Sequence, residues 1–145
     1  MLGQCFYEAA IRHFVDAGIL LKEESADNAV YLFGNSAECC LKSLIEVYCS
    51  TRREQILRYK YGHHIDDLTN DLFEFITNSS DVPSLDPVLG LKLQAFQLPG
   101  VLSFEHPQRR YACNGKFTLA DAEQCQRATQ FLIREMIKQH LDGYL

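Results

Sequence analysis

Four polar residues, Tyr31, Asn35, Glu38 and Lys42, recur at steps of three and four inside an otherwise apolar stretch. At helical periodicity they fall on one line along a single face. Glu38 precedes Lys42 by four positions, the favourable order for an in-helix ion pair. On a surface such a pair contributes roughly 0.3–0.5 kcal/mol. The line therefore reads either as a solvated seam with one ion pair or as a seam where a ligand sits. In the second case Lys42 and Arg110 hold a phosphate or carboxylate, Glu38 orients one of them, and Asn35 lies one turn before Glu38 on the same line.

Other residue types narrow the chemistry. Asp66 and Asp67 are adjacent and face different ways on a helix, so paired-acid hydrolysis is not indicated. His63 and Asp67 have i, i+4 spacing, but an acid and a histidine at a helix start serve capping equally well, and no metal site is expected. There is no glycine-rich phosphate loop, and no cofactor is expected. The six cysteines include no CxxC pair and no Cys/His ligand spacing. Cys5, Cys39, Cys40, Cys49 and Cys125 fall in helical patterns and read as reduced, mostly buried residues.

The elements that must carry these residues are helical. Residues 28–49 have no proline, and Val30, Phe33, Ala37, Leu41, Leu44 and Tyr48 form an apolar stripe. Residues 4–22 form a preceding helix with Phe6, Ala10, Phe14, Ala17 and Leu21 on one side. The short link at 22–27 makes the two an antiparallel hairpin, with Ser25 or Asp27 available as cap. A third helix is expected over 63–77 (Ile65, Leu68, Leu72, Ile76), and a short fourth over 87–98 (Val88, Leu91, Ala95, Leu98) begins at Asp86-Pro87. The last helix covers 119–141, capped by Thr118 with Asp121. Ala122, Cys125, Thr129, Leu132, Met136 and His140 form its inner line. Residues 99–117 have no clear period, and a loop of that length is often functional.

The expected fold is an all-α, up-and-down bundle of four main helices and one short one. It is read as one domain over 1–145, a size that buries a real core. A net charge of −5 argues against general coating of nucleic acid or membrane. No apolar run approaches the ~20 residues of a membrane span. The opening residues lack the basic start and long apolar centre of a signal peptide. A cytosolic protein away from membranes is expected.

Positive charge nevertheless clusters. Residues 51–64 carry Arg52, Arg53, Arg58 and Lys60 against Glu54, a net of +3. Residues 104–117 carry Arg109, Arg110 and Lys116 against Glu105, a net of +2. If five helices alternate in direction, these two connections share one end of the bundle, with His63, His64 and His106 among them. Such a pole attracts phosphate.

The segment from Asn28 to Ile45 resembles the second helix of HEPN domains, the higher eukaryotes and prokaryotes nucleotide-binding family. In these, small and aromatic residues precede an alanine–glutamate pair, a leucine–lysine pair and an apolar pair. Gly62-His63-His64-Ile65-Asp66-Asp67-Leu68 is similar to the Gly-His start of their third helix. Arg110-Tyr111 is similar to an Arg-Tyr pair before the last. The resemblance spans roughly residues 5–141. It implies a helical bundle that homodimerises, often beside a nucleotidyltransferase, and in some members a metal-independent RNA-cleaving toxin held by an antitoxin.

Active members use Arg, four to six residues, then His. Arg134 with His140 fits, but six positions at ~100° place them roughly 120° apart around one helix. Arg58 with His63 fits in a connection. The function expected is a binding module for nucleotide or RNA, using Asn35, Glu38, Lys42, His63, Arg109, Arg110 and Tyr111. Tyr111 is a stacking surface for a base. The alternatives are an RNA-cleaving toxin using Arg134, His140, Arg58 or His63, and a purely protein-binding module. Arg110 also has a structural alternative, an ion pair back to Glu38 that pins the 99–117 loop.

Overall fold

A computed structural model describes residues 5–48, 62–78 and 88–141. Six helices are present among them: α1 (Phe6–Lys22), α2 (Ala26–Tyr48), α3 (Ile65–Asn78), α4 (Val88–Phe96), the single turn α5 (Gly100–Ser103) and α6 (Leu119–Leu141). The described residues contain no strand. None of their helices is long and apolar enough to cross a membrane.

The α1–α2 hairpin forms because α1 offers small residues to its neighbour. Ala10 and Ala17 are fully buried, which lets the backbones approach closely enough for the Ser36 hydroxyl to donate to the Ala10 carbonyl at 2.7 Å. The turn closes with Glu24 in a left-handed conformation and the Ser25 amide bonded to the Leu20 carbonyl. Ser25 precedes α2 and accepts the Ala29 amide on its carbonyl. The Asp27 carboxylate instead accepts the amides of Gly115 and Phe117, at 2.7 and 2.9 Å.

The core follows the stripes. Val30, Phe33, Ala37, Leu41 and Leu44 of α2 are buried against Ala122, Cys125, Leu132 and Met136 of α6. The Thr129 hydroxyl donates to the Phe33 carbonyl at 3.3 Å. Thr118 and Asp121 form the capping box that opens α6: the Thr118 amide donates to the Asp121 carboxylate, and the Asp121 amide to the Thr118 hydroxyl. The expected inner line of α6 ends early, because His140 is exposed and stacks on Tyr7 with ring centroids 4.4 Å apart.

Three expectations are corrected. The inner face of α4 is Leu89 and Leu93, while Leu91 and Ala95 are exposed. With only Lys92 and Gln94 polar in VLGLKLQAF, the segment has too little contrast to fix its rotation from pattern. Residues 99–117 are not structureless: they hold α5 and a 3₁₀ turn at Gln108–Tyr111. Finally, α6 runs parallel to α2. It starts beside Asp27, passes Phe33 at Thr129, and reaches Tyr7 at His140, alongside the later turns of α2. The loop before α6 therefore lies at the start of α2, not at its exit. Residues 49–61, with Arg52, Arg53, Arg58 and Lys60, and the cap at Asp86-Pro87 lie outside the described residues. The described cysteines are free: Cys40 and Cys125 are buried, Cys39 is half-buried, and Cys5 and Cys113 are exposed.

Candidate functional site

The polar line of α2 does not face open water. Glu38 and Lys42 are only 8% and 6% exposed. What covers them is the 99–117 loop, laid along α2 from Asp27 to Glu38, together with α1 on the other side. Lys42 donates to Glu38 at 2.9 Å and sits over the Phe6 ring, 5.5 Å from its centroid. The same carboxylate takes two imidazoles. His63, just ahead of α3, lies 3.0 Å away through Nδ1, and His106, in the loop, lies 2.9 Å away through Nε2.

One buried acid thus gathers three donors from three parts of the chain. Burial disfavours its charged form, but hydrogen bonds from His106, Lys42 and His63 outweigh that and bring its pKa down to about 2. An ionised carboxylate only accepts, so both imidazoles carry their proton on the nitrogen facing Glu38. His106 is fully enclosed, and its pKa is lowered by burial against the partly opposing bond to Glu38 and with the help of the Arg109 charge. Its Nδ1 has no hydrogen-bond partner and rests against Gly34. His63 differs, because its side chain is 64% exposed. With Nδ1–H committed to Glu38, its Nε2 is left as the free nitrogen of an exposed ring.

The loop that delivers His106 is anchored by Arg109. This guanidinium donates to four main-chain carbonyls: Val101 (2.7 Å), Phe104 (3.1 Å), Leu102 (2.8 Å) and Val30 of α2 (3.1 Å). No acid pairs with it in these bonds. Burial lowers its pKa to about 10, which leaves it charged at neutral pH. Gly34 makes the approach feasible. A Cβ there would collide with the Arg109 guanidinium and fall 2.7 Å from His106 Nδ1.

The expected site residues therefore separate. Asn35 is half-buried on the α2 line between Tyr31 and Glu38. Arg109 turns inward as a clamp instead of facing a ligand. Arg110 does not reach back to Glu38. It lies exposed beside Tyr31 and Tyr111, whose hydroxyls raise its pKa, with its guanidinium 4.8 Å from the Tyr111 ring centroid. Tyr31 is also 6.3 Å from the His106 ring, so Arg110, Tyr31, His106, Glu38 and His63 form a continuous polar track. Arg134 is exposed on α6, His140 is taken up by Tyr7, and Arg58 lies outside the described residues. Sequence alone places His106 in the basic cluster, but nothing in its spacing points to Glu38. Among the described residues, no group of three or more His, Cys, Asp or Glu is arranged to hold a metal ion.

The track predicts acid sensitivity. The folded pKa of Glu38 lies below its ordinary value of 4.5, so its contribution is complete above about 4.5 and lost as pH falls towards 2. The shift corresponds to about 3 kcal/mol. Burial holds the folded pKa of His106, and of the half-buried His13 on α1 outside the track, below the ordinary 6.5, so protonating them in the unfolded chain costs stability as pH drops below that value. Urea midpoints should therefore fall in two stages from pH 7.5 to pH 3. Glu38→Gln should flatten the lower stage, and an unchanged lower stage would contradict the assignment.

Compared with models of known protein families, with curated proteins and with solved structures, the chain gives no match.

Proposed function

We propose that this chain is a HEPN-like helical binding module for nucleotide or RNA. It acts as a homodimer, as one half of a pair with a nucleotidyltransferase or an antitoxin. One observation supports the ligand reading above the others. The α2 polar line, His63 and the 99–117 loop meet at Glu38, and the track they form surfaces at Arg110 and Tyr111. Lys42 already neutralises Glu38, so Arg110 adds uncompensated positive charge at the exposed end of the track. A phosphate is placed on Arg110, with His63 at the other end of the track and a base on Tyr111. The homodimer and the partner protein rest on the resemblance of the α2, 62–68 and 110–111 segments.

Salt-dependent binding of labelled single-stranded RNA tests this reading. Arg110→Ala is expected to weaken binding about tenfold and to reduce the salt slope by about one unit. It should leave the urea midpoint unchanged, because the side chain is exposed. Absence of salt-dependent affinity for RNA and for nucleotides would leave the protein-binding module as the better reading.

The Glu38–His63 pair favours a second reading, metal-independent RNA cleavage. A buried carboxylate that fixes one imidazole nitrogen and leaves the other exposed is the arrangement of a general base. Cleavage of labelled RNA that disappears in His63→Ala supports it. An intact substrate beside a working control ribonuclease ends it.

A further inference from the structure

The 99–117 loop carries two exposed aromatic rings, each with a cation on its face. Tyr111 is 77% exposed with Arg110 4.8 Å from its ring centroid. Phe104 is 47% exposed with Lys116 5.4 Å from its centroid. Exposed rings of this size are usually tucked under a neighbour or left isolated. Here both belong to one segment, both carry a basic partner, and the backbone beneath them is fixed. Arg109 clamps the carbonyls of Val101, Leu102 and Phe104, and Asp27 holds the amides of Gly115 and Phe117. The rings are thus presented on a preorganised support that a ligand does not have to order.

Aromatic rings interleaved with basic side chains fit unpaired nucleic acid. Every base has a π-face to stack, and every linkage has a phosphate for a cation. In a duplex the base faces are already taken up by their neighbours. Glu105 is the only acid within 104–117. We infer that this loop holds two bases of a single RNA strand, one on Tyr111 and one on Phe104, with Arg110 and Lys116 on the backbone phosphates beside them. This rests on the proposed function, which uses Tyr111 and Arg110 for one nucleotide, and adds Phe104 and Lys116 as a second position.

The test measures binding of the full chain to labelled octauridylate, to the same strand annealed to octaadenylate, and to uridine monophosphate. Phe104→Ala and Tyr111→Ala should each weaken octauridylate binding about tenfold. Both should keep the parental urea midpoint, since Phe104 serves Arg109 through its carbonyl and not its ring. Monophosphate binding should weaken in Tyr111→Ala and stay at the parental value in Phe104→Ala. The duplex should bind at least tenfold more weakly than the single strand. Octauridylate affinity that drops in Tyr111→Ala but not in Phe104→Ala overturns the second position while leaving the proposed function standing. Equal affinity for duplex and single strand overturns stacking. Octauridylate binding unchanged in both variants, with a copurifying protein lost from both, assigns the rings to a protein interface and overturns the inference. No binding of any of the three ligands overturns the proposed function itself.

Discussion

Arg109→Ala will unfold at far lower urea than the parent, with a loss of about 4 kcal/mol. The size follows from what the guanidinium does. It is 5% exposed and serves four carbonyl oxygens, three in its own loop and one on α2. Truncation leaves those acceptors without their donor and opens a space beside the Phe117 ring, which lies 5.7 Å from the guanidinium carbon. Arg109→Lys should recover less than half of the loss, because one ammonium cannot present two nitrogens to carbonyls on opposite sides. Midpoints from urea denaturation, with the slope of the transition checked for constancy, decide the matter. A loss under about 1 kcal/mol would mean that the loop is held elsewhere.

The second large effect concerns Gly34. In an ordinary helix interior, Gly→Ala stabilises by about 1 kcal/mol. Gly34→Ala should do the opposite and cost about 2–3 kcal/mol, because the added methyl occupies the space of the Arg109 guanidinium and the His106 ring. Neither group can swing away cheaply, since Arg109 is fixed by its carbonyls and His106 by Glu38. The sign alone is diagnostic, and a double-mutant cycle sharpens it. In the Arg109→Ala background the same substitution should cost at least about 1 kcal/mol less than in the parent, the coupling expected of residues in direct contact. Additive losses would show that the two do not meet.

Much of the scaffold was legible from the chain itself. The stripe through Val30, Phe33, Ala37, Leu41 and Leu44 has unbroken helical period, and each member is buried. Thr118 and Asp121 carry a local signal whose geometry depends on three residues of spacing and little else. The Glu38–Lys42 pair was readable for the same reason, although its burial was not. Burial depends on what lies across from it, and that is a loop without period. His106 is 68 residues from Glu38, and no pattern in a single chain encodes a meeting at that separation. Arg109 reads as a solvent charge beside Arg110, because a cluster of carbonyls that can take a buried guanidinium exists only after the loop has folded. Gly34 is the one glycine of α2, and its partners are equally remote. The direction of α6 is not legible from the chain, because alternation of five helices predicts the opposite course. The segment between α4 and α6 instead contains α5 and the 3₁₀ turn, and it carries the chain back to the start of α2.

The parallel course of α2 and α6 joins segments that are far apart in the chain. The α1–α2 hairpin is local, and it can close as soon as the chain has passed Tyr48. His63 follows 25 residues after Glu38, and His106 another 43 after that. Within the hairpin alone, Glu38 pairs with Lys42, which rests on Phe6, and both imidazole partners of the carboxylate come from later chain. A fragment ending before residue 99 would carry the Glu38–Lys42 pair without the loop that covers it and without His106.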